Sequence, residues 1–88
     1  VSRREFIIRN KLGLHARAAA QIVQTTNQFH SRIRIFKNGQ EADAKSILGI
    51  LTLSCPQGTR IEVLAEGDDA PEAMEALATL FDNKFGEE

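Results

Sequence analysis

The sequence predicts an α+β fold, an open-faced sandwich with helices on one face of a mainly antiparallel sheet. Three observations carry that prediction. Apolar residues alternate with polar ones over 4–9, 32–36 and 60–66, the period of half-buried strands. They recur at helical spacing over 16–27 and 70–81. Asn38-Gly39 lies directly after the second alternating run, and Asn-Gly is the strongest short signal for an antiparallel hairpin.

Each element has its own local warrant. In the first strand Phe6 and Ile8 share a face, and the turn 10–13 ends it at Gly13. The helix that follows places Ala16, Ala19, Ala20 and Val23 at the i, i+3, i+4, i+7 spacing of a buried stripe, and Thr25-Thr26-Asn27 weakens it. Phe29 is expected to pack in the loop core, with His30 and Ser31 as a connection and His30 at the surface or in the loop. A short return strand over 40–44 completes the hairpin. The apolar run 47–53 suits a buried strand or a short helix by periodicity, although Ser46 before it has the form of an N-cap. In the strand 60–66, Ile61, Val63 and Ala65 face the core and Leu64 the other side. Asp69-Ala70-Pro71-Glu72 reads as a helix start, with Asp as cap and Pro in the first turn. Ala70, Ala73, Met74, Leu77, Leu80 and Phe81 then line one face, and Gly86 is the expected stop.

Eighty-eight residues suit one domain, 1–88, with a modest core. The 42% hydrophobic and 26% charged residues are those of a globular chain. A net charge of −1 argues against nucleic acid. Basic residues nonetheless gather early, at Arg3, Arg4, Arg9, Lys11, Arg17 and Arg32, and acids in the last third. Cys55 is the only cysteine, which excludes an internal disulfide. The longest apolar run is too short to span a bilayer, and no signal-peptide pattern opens the chain. Cytoplasmic localisation and no membrane insertion are expected. With two histidines and one cysteine, no metal site is expected.

The chemistry concentrates in Asn10–Ala20. Gly13 marks a turn, and His15 stands at the start of a run of strong helix formers. The first N–H groups of a helix lack internal partners and carry partial positive charge, which makes an anion site. Arg17 adds a full positive charge in the first turn. The same field disfavours imidazolium, leaving a neutral ring nitrogen as a nucleophile for a phosphoryl group that the surrounding donors hold. The plainer alternative is a histidine that only caps a helix.

Gly13-Leu14-His15-Ala16-Arg17, followed by Ala19-Ala20, resembles the active-site motif of the HPr family, the histidine-containing phosphocarriers of the bacterial phosphotransferase system. The resemblance extends along nearly the whole chain. It implies four antiparallel strands covered on one face by three helices, in the order βαββαβα, and selects a helix over 47–53. It implies that His15 takes a phosphoryl group on Nδ1 from phosphorylated enzyme I and passes it to an enzyme IIA domain, with Arg17 stabilising the phosphate. No cofactor is implied, and the carrier turns nothing over alone. No further acid or base lies near His15 in sequence, so the partners are expected to complete the site. One departure stands out: the family motif usually has Pro where this chain has Ala18. Ala18 loosens the first turn and adds an N–H close to the phosphate site. Phosphorylation is expected to survive it.

Lys45-Ser46-Ile47-Leu48-Gly49 resembles the segment of HPr proteins that the ATP-dependent HPr kinase/phosphorylase modifies, which makes Ser46 a candidate phosphoserine. Phosphate at a helix start is tolerated electrostatically, yet its charge would slow transfer at His15. The simpler alternative is an N-cap serine. The expected docking face comprises Leu14, Ala16, Ala20, Ile47, Leu48 and Leu51, because the apolar residues exceed what so short a helix and turn can bury. Arg17 and Lys45 would steer partners. A monomer is expected. The alternatives are a carrier of the nitrogen-related branch, an adaptor that binds a transcription regulator through phosphorylated Ser46, and an unrelated small ligand-binding domain. His15 argues against the Crh-type paralogue, which lacks that histidine.

Overall fold

The computed structural model describes residues 1–87. Strands β1 (Ser2–Ile7), β2 (Arg32–Lys37), β3 (Gln40–Asp43) and β4 (Arg60–Glu66) form one sheet, interleaved with helices α1 (Ala16–Thr26), α2 (Ile47–Leu53) and α3 (Ala70–Asp82). The strand order is β1-β4-β2-β3, and every neighbouring pair is antiparallel. This is the expected βαββαβα sandwich. The apolar run 47–53 is a helix, begun by Ser46 Oγ accepting the Gly49 N–H at 3.0 Å. The Asn38-Gly39 turn has both residues at positive φ, 48° and 81°, the mirror-image turn that matches strand twist.

The core lies between the inner sheet face and the helices. Phe6, Ile8, Ile33, Ile35, Ile61, Val63 and Ala65 meet Ile22, Ile50, Leu53, Leu77 and Phe81, all buried. Phe81 stacks on Phe6 with centroids 4.6 Å apart and takes the edge of Phe85 at 5.4 Å. The outer sheet face carries Arg3–Glu62 and Arg34–Glu66 ion pairs at 3.8 and 2.6 Å.

Three expectations change in the packing, and Leu64 keeps its expected face yet is buried. The buried stripe of α1 is Ala18, Ala19, Ile22 and Thr26, whereas Ala16 is exposed and Ala20 and Val23 are half-buried. A run of alanines gives no directional signal, and the one large aliphatic of its middle, Ile22, fixes which way the helix turns. Leu64 is buried although it lies on the outer face, because β4 is a central strand and Leu64 is paired between Arg3 and Arg34. Asp69 stands at the start of α3 but makes no side-chain cap. Its carboxylate accepts instead from the backbone N–H groups of His30 and Ser31 at 2.8 and 2.9 Å, and from the Ser31 hydroxyl. Finally, α3 stops at Asp82 rather than Gly86. A 3₁₀ turn over Lys84–Gly86 follows, with Lys84 and Phe85 both at positive φ, and it turns Phe85 into the core.

Candidate functional site

The loop before α1 is set by Gly13. Its φ is +66°, and a Cβ there would lie 2.3 Å from the Cys55 carbonyl oxygen and 2.8 Å from Pro56 Cα. Only glycine allows both the angle and the contact. The adjoining Leu14 N–H donates to Cys55 O at 2.8 Å, and Asn10 Nδ2 donates to Gly13 O at 2.7 Å. The loop is therefore stitched to the segment after α2 before the helix begins.

His15 is the N-cap of α1, with extended backbone (φ −77°, ψ 178°) and its carbonyl accepting the Ala19 N–H at 2.9 Å. Its Nδ1 accepts from the Arg17 N–H at 3.3 Å, a long bond that a better acceptor can displace. The ring thus aims Nδ1 at the first-turn donors of a helix whose first turn holds no acidic residue. The Arg17 side chain is exposed and makes no ion pair among the described residues. Ala18 is fully buried, and as the third helical residue its N–H belongs to the same unpaired set.

The other ring nitrogen has a partner that the sequence did not connect to it. His15 Nε2 lies 2.8 Å from Glu87 Oε2. Asn10 Nδ2 donates to the same oxygen at 2.9 Å, and the Leu12 N–H approaches Oε1 at 3.4 Å. These contacts, the histidine first, hold the Glu87 carboxyl below its ordinary range. An ionised carboxylate only accepts, and Nδ1 is already accepting from Arg17, so both contacts require the proton on Nε2. Glu87 is 72 residues from His15 and no motif announces it.

The expected docking residues divide. Leu14 is only 4% exposed and belongs to the core, which corrects its place on the surface: the Gly13 turn directs it inward beneath Cys55. Ile47, Leu48 and Leu51 are 41%, 75% and 37% exposed, while their neighbours Ile50 and Leu53 face inward. Leu12, absent from the expected set, is 67% exposed. A shallow depression beside His15 is lined by Leu12, Leu51 and Pro56, which joins the α1 start to α2 in one surface. Ser46 lines a different depression with Glu41, Leu48 and Gly49. Its hydroxyl is half-buried as the α2 cap. Lys45 Nζ donates to Phe29 O at 2.8 Å, which fixes where that positive charge sits beside the start of α2.

The family described as "PTS HPr component phosphorylation site" matches residues 2–83. A phosphocarrier protein HPr of Xylella fastidiosa is 49% identical over 84 residues, which are 96% of this chain and 94% of that one. A phosphocarrier protein NPr of Shewanella violacea is 42% identical over 84 residues, covering 96% and 92%. The crystal structure of HPr-C-His from Thermoanaerobacter tengcongensis superposes with a TM-score of 0.97 at 46% identity, covering 100% of this chain and 99% of that one. Similar structures also include an HPr dimer from that organism, so the fold alone does not fix the single-copy state expected from the sequence. Sequence, topology and site geometry together place the chain in the HPr family of phosphotransferase-system phosphocarriers.

Proposed function

We propose that the protein carries a phosphoryl group on Nδ1 of His15, accepting it from phosphorylated enzyme I and passing it to enzyme IIA domains of a sugar phosphotransferase system. The observation that supports this most is the His15 ring itself, which is partly exposed and whose Nδ1 accepts from the Arg17 N–H in the first turn of α1. The N–H groups of that turn and the Arg17 guanidinium would take the phosphoryl oxygens as Nδ1 bonds to phosphorus. Stabilisation without burial suits a carrier, which must release what it accepts. The protein would work only with its partners, in the cytoplasm. Leu12, Ile47, Leu48 and Leu51 form the apolar surface on which both partners would dock in turn. Phosphorylation of Ser46 by an HPr kinase/phosphorylase would add about two negative charges to the α2 part of that surface and slow the relay.

The relay itself tests this reading. With phosphoenolpyruvate and enzyme I, the protein should render an enzyme IIA domain phosphorylated, and omitting it or using His15→Ala should abolish the transfer. An enzyme IIA domain labelled equally well through His15→Ala would overturn the proposal.

A further inference from the structure

Lys37 closes β2 in the phase of Ile33 and Ile35, so its side chain sets out from the inner face of the sheet. No carboxylate pairs with it among the described residues. Its Nζ donates instead to Leu53 O at 2.9 Å and to Ser54 O at 2.5 Å, where α2 ends. The last carbonyls of a helix lack partners within it and carry partial negative charge. The last turn of α2 holds no basic residue of its own, so the cation comes from β2. Ser54, the C-cap, is left-handed at φ 58° and ψ 74°, a conformation that glycine usually supplies. Its N–H closes on Leu51 O at 3.1 Å, and the next residue, Cys55, accepts the Leu14 N–H at 2.8 Å. The two residues that Lys37 holds thus lie between the exposed Leu51 and the anchor of the turn before His15.

We propose that Lys37 is a positioning residue for partner docking: by binding Leu53 O and Ser54 O, its ammonium fixes the end of α2 against the turn that presents His15. This rests on the carrier reading above. The depression beside His15 lies over that junction, lined by Leu12, Leu51, Ser54 and Pro56. A partner that reaches Nδ1 must therefore meet Leu51 at a set distance from the ring. Without the ammonium, Leu53 O and Ser54 O turn to water, the left-handed Ser54 loses its clamp, and the last turn of α2 frays. Leu51 then takes several positions relative to His15, and ordering it on docking weakens association. The chemistry at Nδ1 is unaffected, because none of the groups around that nitrogen changes.

Lys37→Met keeps a long apolar stem and removes the donors, whereas Lys37→Arg keeps both charge and donors. Amide hydrogen exchange reads the junction in the whole chain without any partner. In Lys37→Met the Ser54 and Leu14 N–H groups should exchange about tenfold faster, the scale of one charge-assisted hydrogen bond. Amides of β4 and α3 should keep their wild-type rates, and Lys37→Arg should restore the junction. With enzyme I, Lys37→Met should raise KM about fivefold and leave kcat unchanged, the pattern of weakened binding without altered chemistry. Junction amides or a KM unchanged in Lys37→Met, an equal acceleration of exchange across the whole chain, or a defect that Lys37→Arg does not reverse would each overturn the proposal. A wild type that enzyme I cannot phosphorylate would overturn the carrier reading instead, and the exchange comparison would still decide whether Lys37 holds the junction.

Discussion

At the scale of single residues the site depends most on Gly13, whose positive φ and contact with the Cys55 carbonyl no other residue reproduces. Gly13→Ala should lower unfolding stability by about 2–3 kcal/mol, from the angle and the displaced Cys55–Pro56 backbone together, as read by urea denaturation. A loss under ~0.5 kcal/mol would show that the loop shifts freely and that His15 is not presented rigidly. Gly13, His15 and Arg17 were legible in the sequence because they are neighbours, and a turn followed by helix formers fixes their relation locally. Glu87 and Asn10 were not. Their contacts with His15 and with each other depend on where α3 stops and on Phe85 entering the core, long-range facts with no local pattern. Asp69 misled for the same reason: its position is that of a cap, but its oxygens serve the His30-Ser31 turn from another part of the chain.

Among the elements, α2 divides the fewest residues most sharply between core and surface. Its seven residues bury Ile50 and Leu53 and expose Ile47, Leu48 and Leu51, so one turn anchors the helix and the rest meets solvent. Ser46→Ala removes the acceptor of the Gly49 N–H and should cost about 1 kcal/mol in thermal or urea unfolding. Leu48→Ala should cost under ~0.5 kcal/mol, since that side chain is 75% exposed, while weakening association with enzyme I. A Leu48 variant with unchanged affinity would remove that residue from the docking surface. The strands were readable because alternation is strong at period two, and the hairpin because Asn-Gly permits few turns. Periodicity alone did not separate helix from strand over 47–53. The face of α1 was also misread, because three alanines in a row leave the helix wheel nearly blank.

For the molecule as a whole, the cross-connections predict a particular response to acid. Asp69 is held below its ordinary value of 3.8, first by the Ser31 hydroxyl and then by the His30 N–H. Glu87 is held below its ordinary value of 4.5, first by the His15 ring and then by Asn10. A carboxyl with a depressed folded value binds its proton less readily in the folded than in the unfolded chain. Its contribution is therefore complete above the unfolded value and is lost as pH falls through the folded one. Thermal midpoints should be level near neutrality and decline once pH drops below about 4.5, the unfolded end of that window. Asp69→Asn should lower the neutral midpoint and flatten the decline. An acid limb of wild-type steepness in that variant would contradict the assignment. The order of the elements was legible but fits more than one topology, and the ties between segments 39 and 72 residues apart came only with the folded chain.

The central claim is that His15 accepts the phosphoryl group. It is tested most directly by intact mass after incubation with phosphoenolpyruvate and enzyme I, beside a His15→Ala variant. One added phosphoryl group, lost in acid and absent from the variant, is the expected result. An unchanged mass with an active enzyme I, or an acid-stable group that persists in His15→Ala, would contradict it.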